Sequence, residues 1–191
     1  MKTAAVFLDR DGTINVDTGY LGDPADVALI DGAAEAVAAL NRAGIKAIVI
    51  SNQSGVGRGF FTDADAARVT ERLVELLAQA GARLDGMYYC PHRPDEDCRC
   101  RKPRTGLVEA AAAEHGIDLE RSCVIGDKAS DIGLARNLGI NSALVLTGNG
   151  RADLPRISPP PEFVANDLRE AAGWAIKTVM RGKTAARGLK S

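Results

Sequence analysis

The sequence predicts an α/β protein built on one doubly wound parallel sheet. Short apolar runs rich in β-branched or aromatic residues alternate with longer segments whose apolar residues repeat at helical spacing, the pattern of consecutive βαβ units. A glycine follows each of four helical segments, as expected of a residue that ends a helix in the left-handed conformation. Parallel strands joined by right-handed crossovers place helices on both faces of one sheet.

The predicted elements follow one another along most of the chain. Strands are expected over residues 4–8, 45–50, 86–90, 122–125 and 143–146, which are short apolar runs. Helices are expected over residues 32–42, 63–80, 105–115 and 130–138, where apolar residues recur at helical spacing. The glycines that come just after these helices are Gly44, Gly81, Gly116 and Gly139.

The last part of the chain is predicted to add one short strand, one helix and a basic tail. A run of three prolines after Ser158 forms a stiff link to the strand and helix, which are expected around residues 163–179. We therefore expect residues 1–180 to form a single domain and residues 181–191 to form a flexible basic tail.

Length and composition indicate a globular protein with one core. The chain has 191 residues, of which 46% are apolar, and its formal net charge of −1 argues against a nucleic-acid partner. No stretch approaches the roughly 20 apolar residues of a membrane span, and we recognise no signal peptide. We therefore expect a cytoplasmic protein with no membrane partner. In that reducing compartment its four cysteines should be thiols or metal ligands.

The segment FLDRDGT at residues 7–13 carries the strongest chemical signal. Asp9 and Asp11 follow a buried strand, which places both carboxylates at the carboxyl edge of the sheet, where open α/β folds bind ligands. If the chain stays extended to Asp11, both side chains project to one side, where a hard cation could neutralise them. Asp9 could then attack a phosphorus atom while Asp11 moves a proton. A solvated turn at a strand end is the alternative interpretation.

Polar groups and glycines also follow the second predicted strand. Ser51 ends this strand and could hold a phosphoryl oxygen, and the glycines within residues 55–59 let backbone N–H groups turn toward an anion. A merely flexible connection is the alternative for these glycines. The segment is not a Walker A loop, because no Gly-Lys-Ser/Thr ends it.

Further charged groups come after the later strands. Lys102 offers a compact positive charge that could offset a phosphoryl group and a nucleophile. Asp127 and Asp131 are four residues apart where a helix begins, so both can lie on one face, and Asp127 would complete a metal site. Either acid could instead be a helix cap or a first-turn charge favoured by the helix dipole. All four segments fall at the carboxyl ends of predicted strands, which favours one shared site.

These four segments resemble the motifs of haloacid dehalogenase superfamily phosphatases, and the resemblance covers almost the whole chain. The matching stretches are DRDGT at 9–13, SNQ at 51–53, Lys102 and GDKASD at 126–131. Longer stretches are similar to the D-glycero-D-manno-heptose 1,7-bisphosphate 7-phosphatase family, and histidinol-phosphate phosphatases share much of the pattern. They are FLDRDGTIN at 7–15, DTGY at 17–20, SNQSGVGRG at 51–59, YYCPH at 88–92, CRCRKP at 98–103 and IGDK at 125–128.

The resemblance implies a magnesium-dependent phosphomonoesterase with a haloacid dehalogenase Rossmann-like core and no large cap domain. Asp9 would form an aspartyl-phosphate, and Asp11 would act first as an acid and then as a base. Mg²⁺ would bind Asp9, the carbonyl of Asp11 and Asp127. Ser51 and Lys102 would steady the transferring group.

The resemblance also implies which residues hold the substrate. They are Asp17, Gly19, Tyr20, Ser51, Asn52, Gln53, Ser54, Arg101, Lys102 and Lys128, with Asp131 as a supporting residue of the site. Arg101 is the sharpest candidate, because a guanidinium can bind a phosphate through two hydrogen bonds, although an exposed salt bridge is the alternative. The expected enzyme is a monomer that removes the 7-phosphate of a heptose bisphosphate, in the synthesis of ADP-heptose or GDP-heptose precursors.

The segment from Cys90 to Cys100 is a separate chemical unit. Three thiols and one imidazole lie within eleven residues on a charged, proline-broken stretch with almost no apolar side chains. A zinc ion would organise this segment, and the C-x-H and C-x-C spacings match the zinc loop of the heptose phosphatases. The expected ligands are Cys90, His92, Cys98 and Cys100. Four protein ligands leave no place for water, so this zinc would be structural and would hold Arg101 and Lys102 in position. Unrelated free thiols are the alternative.

Two other functions share parts of this pattern. A histidinol-phosphate phosphatase would use the same core and zinc loop, and a noncatalytic phosphosugar-binding or zinc-dependent interaction module would use the fold without the chemistry. The intact pair Asp9 and Asp11 disfavours the binding module. Basic residues for a second phosphate would indicate the bisphosphatase, whereas acidic residues for an amine would indicate the histidinol-phosphate enzyme.

Overall fold

The computed structural model describes residues 2–188, with side chains described for residues 2–181, and its centre is a six-stranded sheet. The strands are β1 (Ala5–Leu8), β2 (Lys46–Asn52), β3 (Gly86–Cys90), β4 (Cys123–Gly126), β5 (Asn141–Val145) and β6 (Phe163–Ala165). Their order across the sheet is β3-β2-β1-β4-β5-β6, and every neighbouring pair is parallel. The chain therefore winds in both directions from β1, as predicted for a doubly wound fold.

Helices cover both faces of the sheet. They are α1 (Ala33–Arg42), α2 (Ser54–Gly57), α3 (Asp63–Gln79), α4 (Gly106–His115), α5 (Ala129–Leu138), α6 (Gly150–Asp153) and α7 (Leu168–Gly188). Residues of α1, α3 and α7 belong to the core on one face, and residues of α4 and α5 belong to the core on the other. No helix in the described part of the chain is long and apolar enough to cross a membrane.

Strand β1 shows how the sheet divides the core. Val6 and Leu8 pack on the side of α1, α3 and α7, whereas Ala5 and Phe7 pack on the side of α4 and α5. Successive side chains of a strand point to opposite faces, so a strand covered on both faces must be apolar throughout. All four residues of β1 are fully buried. The following residues are therefore presented at the edge of a rigid, central strand.

The predicted strands and helices are confirmed. The majority of their ends are shifted by one or two residues from the predicted positions. The four glycines predicted to follow helices all have positive φ, between 61° and 73°. Helices α2 and α6 were missed, because four residues are too few to show helical periodicity. Helix α7 continues to Gly188 instead of ending near Val179, so residues 181–188 of the predicted tail are helical, and residues 189–191 lie outside the described residues.

Between the strands, the described chain forms the scaffold helices and two longer connections, residues 9–32 and 91–105. Neither connection contains an α-helix, so within residues 2–188 there is no inserted cap domain. Both connections start from carboxyl ends of strands, β1 and β3, and both contain predicted site residues.

Candidate active site

The predicted motifs meet at the carboxyl edge of the sheet. Asp9 follows β1, Ser51 lies near the end of β2 and Asp127 follows β4. These strands are neighbours in the order β2-β1-β4, so their carboxyl ends open at the same place. Lys102 comes from the long connection after β3. We refer to Asp9, Asp11, Lys102, Asp127 and Asp131 together as the carboxylate edge.

A buried lysine contacts two residues of the carboxylate edge. The Nζ atom of Lys102 is 2.7 Å from Asp9 Oδ1 and 2.7 Å from Asp131 Oδ1, and it donates to the carbonyl oxygen of Ile50 at 2.7 Å. Burial lowers the pKa of the Lys102 ammonium, but the charges of Asp131 and Asp9 outweigh burial and raise this pKa above its ordinary value. Lys102 is therefore a fixed cation beside Asp9.

The two oxygens of Asp9 lie in different surroundings. Oδ1 accepts a hydrogen bond from the backbone N–H of Arg10 at 2.7 Å, in addition to its contact with Lys102. Oδ2 receives no hydrogen bond from any residue that the structure describes. One oxygen of Asp9 is therefore held by donors, while the other is available to react or to bind a cation.

Three buried carboxylates converge at this edge. Oxygens of Asp9, Asp127 and Asp131 lie within 4.8 Å of one another. Burial and the charge of Asp9 raise the pKa of Asp127 to about 7, and burial, opposed by Lys102, raises the pKa of Asp131 to about 6. Oδ1 of Asp127 is buried without a hydrogen-bond partner among the described residues. Hard oxygen donors, excess negative charge and an unsatisfied carboxylate oxygen together fit a divalent cation such as Mg²⁺.

A loop that sequence reasoning missed, residues 147–150 after β5, closes the site around Asp127. The backbone N–H of Asn149 donates to Asp127 Oδ2 at 2.8 Å, and Thr147 Oγ1 donates to the carbonyl oxygen of Gly12 at 2.7 Å. A Cβ atom on Gly12 or on Gly148 would lie 2.3 Å from Asp127 Oδ2, and both glycines have positive φ. The sequence did carry a signal for this loop, of the kind that identified the other site segments: the polar and glycine residues TGNG directly follow a predicted strand.

The Asp11 carboxylate does not join the cluster that Asp9 forms with Asp127 and Asp131, because the chain does not stay extended to Asp11. The first strand ends before Asp9, and the Asp11 carboxylate lies outside the cluster of three carboxylates. The guanidinium of Arg10 contacts both oxygens of the Asp11 carboxylate: Nε donates to Oδ1 at 3.0 Å, and Nη2 lies 2.9 Å from Oδ2. Asn15 Nδ2 donates to Oδ1 at 2.8 Å, and Gln53 Nε2 donates to Oδ2 at 2.7 Å.

The charge state of Asp11 follows from these contacts. Burial raises the pKa of its carboxyl, but the charge of Arg10 and the hydrogen bonds from Arg10, Asn15 and Gln53 hold the pKa below its ordinary value. Asp11 is therefore ionised at neutral pH in the free protein. Arg10 is a site residue that sequence reasoning missed, because an arginine between two carboxylates carries no local signal of whether it is buried.

Residues of the SNQS segment are also tied to the carboxylate edge. Gln53 Nε2 lies 2.7 Å from Ser51 Oγ as well as near Asp11, so it links these two candidate residues. The side chain of Asn52 makes hydrogen bonds in both directions with the backbone of Lys102, at 3.0 Å and 3.3 Å. The Asn52 side chain thus fixes the backbone of Lys102, while Ser54 begins helix α2.

The candidate substrate residues on the other side of the site form a second group. Lys128 Nζ donates to Asp17 Oδ2 at 2.9 Å, and the backbone N–H of Gly19 donates to Asp17 Oδ1 at 2.8 Å. Asp17, Gly19 and Asn149 line part of a cavity of about 590 Å³. Tyr20 is 51% exposed and its ring packs edge-on against Phe60, with 4.6 Å between the ring centroids. The charge of Lys128 is thus already shared with an acid.

Arg101 and Lys128 have different polar partners in the described part of the chain. The Nη1 atom of Arg101 donates to the carbonyl oxygen of His92 at 3.3 Å. None of the described carboxylates forms an ion pair with Arg101, so its charge remains available for an anion. Arg101 is therefore the less engaged of the two predicted phosphate-binding cations.

The four predicted zinc ligands come together in residues 90–100, to which we refer as the cysteine loop. Their ligand atoms all lie within 4.8 Å of one another. Cys100 Sγ is 3.1 Å from Cys90 Sγ and 3.2 Å from His92 Nδ1, and Cys98 Sγ is 3.7 Å from Cys90 Sγ. Ligand atoms on a zinc tetrahedron stand roughly 3.5–3.8 Å apart, given Zn–S and Zn–N bonds of about 2.3 and 2.0 Å. The four atoms are gathered slightly more closely than that, so a small outward movement of Cys100 Sγ would admit such an ion.

Comparisons with known proteins agree with this geometry. Residues 99–171 match the HAD-hydrolase-like family model. The D-glycero-beta-D-manno-heptose-1,7-bisphosphate 7-phosphatase of Helicobacter pylori strain J99 is 42% identical over 171 residues, which are 89% of this chain and 95% of the relative. The D-glycero-D-manno-heptose-1,7-bisphosphate 7-phosphatase of Thermosynechococcus vestitus is 43% identical over 188 residues, with 91% of this chain and 96% of the relative covered.

A solved structure resembles the whole fold. The D,D-heptose 1,7-bisphosphate phosphatase from B. bronchiseptica, complexed with magnesium and phosphate, superposes with a TM-score of 0.85 and 33% identity. The match covers 92% of this chain and 99% of that protein. Similar length, similar fold and an identity above 30% in all three relatives together indicate common descent over nearly the whole chain.

Proposed function

The chain belongs to the D-glycero-D-manno-heptose-1,7-bisphosphate 7-phosphatase family of phosphoric monoester hydrolases, and we propose how its residues carry out that reaction. The observation that supports the proposal best is the state of Asp9. One oxygen of this buried carboxylate is held by Lys102 and a backbone N–H, and the other has no donor among the described residues. A carboxylate fixed in this way is oriented for nucleophilic attack.

In the first half of the reaction, Asp9 attacks the phosphorus atom of the 7-phosphate. The P–O bond to the sugar breaks, an aspartyl-phosphate forms on Asp9, and Asp11 delivers a proton to the departing sugar oxygen. Asp11 is ionised in the free protein, so it must gain this proton as the substrate binds. In the second half, Asp11 takes a proton from water, which attacks the aspartyl-phosphate, and Asp9 and inorganic phosphate are released.

The negative charge of the transferring group must be offset throughout. Lys102 supplies a buried positive charge at Asp9. Ser51 is hydrogen-bonded to Gln53, which places its hydroxyl group beside the site. Mg²⁺ would be held by Asp9 and Asp127, with the carbonyl of Asp11, and would stabilise the charge that develops on the phosphoryl oxygens. Asp131 supports this arrangement through its ion pair with Lys102.

The cysteine loop is proposed to hold a structural zinc ion. The donor set is three thiols and one imidazole, which zinc accepts as a closed tetrahedral site with no position for water. Arg101 and Lys102 directly follow Cys100. A zinc ion held there would fix the start of the segment that carries both cations and would supply structural support only.

The proposed substrate is the heptose 1,7-bisphosphate, with the 1-phosphate bound by Arg101. The free charge of Arg101 supports this assignment more directly than the charge of Lys128, which is paired with Asp17. A basic residue for a second phosphate is the feature that distinguishes a bisphosphatase from a histidinol-phosphate phosphatase. The names of the relatives likewise favour the bisphosphatase over that alternative.

The assignment is tested by measuring phosphate release from a panel of substrates at fixed Mg²⁺. The panel contains both anomers of the heptose 1,7-bisphosphate, the two heptose monophosphates and histidinol phosphate. We expect the bisphosphate to lose its 7-phosphate faster than either monophosphate is hydrolysed, because the 1-phosphate contributes binding energy that orients the reacting end. Fastest turnover of histidinol phosphate would overturn the substrate assignment, and no release from any ester would overturn the assignment as a phosphatase.

The role of Arg101 is tested by Arg101→Ala. We expect kcat/KM for the bisphosphate to fall roughly 10- to 100-fold, the loss of one or two charged hydrogen bonds, with a much smaller loss for a heptose monophosphate. Arg93→Ala is the matched control, because Arg93 is an exposed arginine of the same loop that pairs with Asp95. Equal losses on both substrates would show that Arg101 serves the loop and not the second phosphate.

A further inference from the structure

Arg10 has an unusual position for a charged residue of this chain. Its residue surface is only 2% exposed, and the one carboxylate paired with it among the described residues is Asp11. The guanidinium makes a two-point contact with Asp11: Nε donates a hydrogen bond to Oδ1 at 3.0 Å, and Nη2 forms an ion pair with Oδ2 at 2.9 Å without hydrogen-bond geometry. Contacts to both oxygens restrict the rotation of the carboxylate plane more than a contact to one oxygen does.

The backbone of Arg10 is fixed as well. Its N–H donates to Asp9 Oδ1 at 2.7 Å, and its carbonyl oxygen accepts from the N–H groups of Ile14 and Asn15 at 2.8 Å and 3.1 Å. Arg10 therefore touches Asp9 with its backbone and Asp11 with its side chain. Arg10 is therefore in contact with both carboxylates and helps to fix the position of one relative to the other.

The other donors to Asp11 differ from Arg10 in having alternative partners. Gln53 Nε2 also lies 2.7 Å from Ser51 Oγ, and Asn15 Nδ2 also donates to the carbonyl oxygen of Val16 at 2.9 Å. Among the described residues, the guanidinium of Arg10 makes no hydrogen bond or ion pair with a side chain other than that of Asp11. Replacing a whole buried ion pair by apolar side chains of the same volume often costs no stability, so the pair by itself does not show that Arg10 is needed for the fold.

We propose that Arg10 is a positioning residue for proton transfer, which sets the Asp11 carboxyl group against the oxygen that leaves phosphorus. The inference rests on the proposed function, in which Asp11 gives its proton to the sugar oxygen as the P–O bond breaks and Asp9 bonds to phosphorus. Without the guanidinium, only Asn15 and Gln53 hold the two oxygens of Asp11, and both amides have alternative partners, so the carboxyl group is held less firmly against that oxygen. The loss should then depend on how strongly the leaving group needs a proton.

The test compares two esters in the first turnover, followed by rapid quench. Heptose 1-phosphate leaves the bisphosphate as a basic alkoxide that needs the proton of Asp11, whereas p-nitrophenolate leaves p-nitrophenyl phosphate as a stable anion that does not. For Arg10→Met we expect release of the sugar to slow by about 100-fold, and release of p-nitrophenolate by less than about threefold. Arg10→Lys, which keeps the charge but not the two-point contact, should show the same pattern with a smaller loss.

Control measurements separate this role from a structural one. Arg72→Met removes an exposed arginine that pairs with Glu75 on α3, and it should leave both rates unchanged. Melting temperature and Mg²⁺ affinity are measured for every variant, and Arg10→Lys provides the comparison if Arg10→Met does not fold. Equal losses on the two esters, or no loss on the sugar phosphate, would overturn the inference alone. A wild-type protein inactive on both esters would overturn the proposed function and the inference with it.

Discussion

The carboxylate edge and the cysteine loop are both clusters of candidate metal ligands, but they are built in opposite ways. The carboxylate edge takes its residues from positions 9 to 131 and brings them together at the ends of neighbouring strands. The cysteine loop takes four ligands from eleven consecutive residues, of which only Cys90 lies in a strand. The sheet therefore positions the first cluster, whereas the second depends on hydrogen bonds to its backbone, such as those from Gly57 to Pro91 and from Gly106 to Arg99, and on whatever ion its ligands hold.

The neighbours of the ligands differ in the same sense. At the carboxylate edge, Lys102 already neutralises part of the negative charge, and backbone N–H groups orient Asp9 and Asp127. In the cysteine loop, the thiols and the imidazole face mainly one another. We therefore expect the loss of a ligand to reduce activity at the carboxylate edge and to reduce folding stability in the cysteine loop.

The largest effect is expected for Asp9→Asn. An amide cannot form an acyl-phosphate, so kcat should fall by roughly 10⁴-fold or more, as for other lost nucleophiles, while the sheet keeps its structure. Phosphate release and melting temperature are measured together, with Asp26→Asn as an exposed control. Retained turnover in the Asp9 variant would rule out the nucleophile, and a collapse of its melting temperature would break the contrast between the two clusters.

A second large effect is expected for Cys98→Ser. A closed thiolate site contributes its binding energy to folding, so the variant should lose its zinc and roughly 3 kcal/mol or more of stability. Metal analysis and thermal unfolding measure this. Cys123→Ala is the control, because Cys123 is a buried core thiol away from the loop and its variant should keep the zinc. An unchanged melting point for Cys98→Ser, with no zinc in the wild type, would defeat the zinc proposal.

Gly148→Ala tests whether the sheet and its loops hold the carboxylate edge in place. The new Cβ would lie 2.3 Å from Asp127 Oδ2 and 2.6 Å from the Cα of Gly12, so Asp127 must move. We expect Mg²⁺ affinity to fall about 10- to 100-fold, as for other residues that orient a metal ligand. Calorimetric titration measures it. Gly59→Ala is the matched control, because Gly59 also has positive φ but nothing stands within 4 Å of its added Cβ.

The smallest effect is the pH dependence of Mg²⁺ binding. Burial and the charge of Asp9 raise the pKa of Asp127 to about 7, so protons compete with the cation below that pH. Asp127 is mostly protonated only below its pKa, and the protonated carboxyl group binds a cation poorly. Mg²⁺ affinity should therefore weaken as pH falls, by about tenfold between pH 8 and pH 6. Titration calorimetry across this range measures the change. A flat affinity would show that Asp127 stays ionised throughout.

Much of the fold was predictable because its signals are local. The apolar runs of β1 and β4 and the glycine after each predicted helix are read within a few residues, and the structure confirms them. The same holds for the position of Asp9, Ser51 and Asp127 at strand ends. The short helices α2 and α6 left no such signal, since four residues do not complete a helical period.

The sequence alone was enough to predict which polar residues lie at strand ends and which four residues of the cysteine loop are candidate ligands. Strand ends and ligand spacing are short-range properties, so a local pattern records them. The tertiary structure was needed to show that Arg10 pairs with the Asp11 side chain and that the loop at 147–150 supports Asp127. It also decided that Lys128 pairs with Asp17, a contact across 111 positions of the chain. Such contacts depend on how strands are ordered and how loops pack, which no local pattern of residues records.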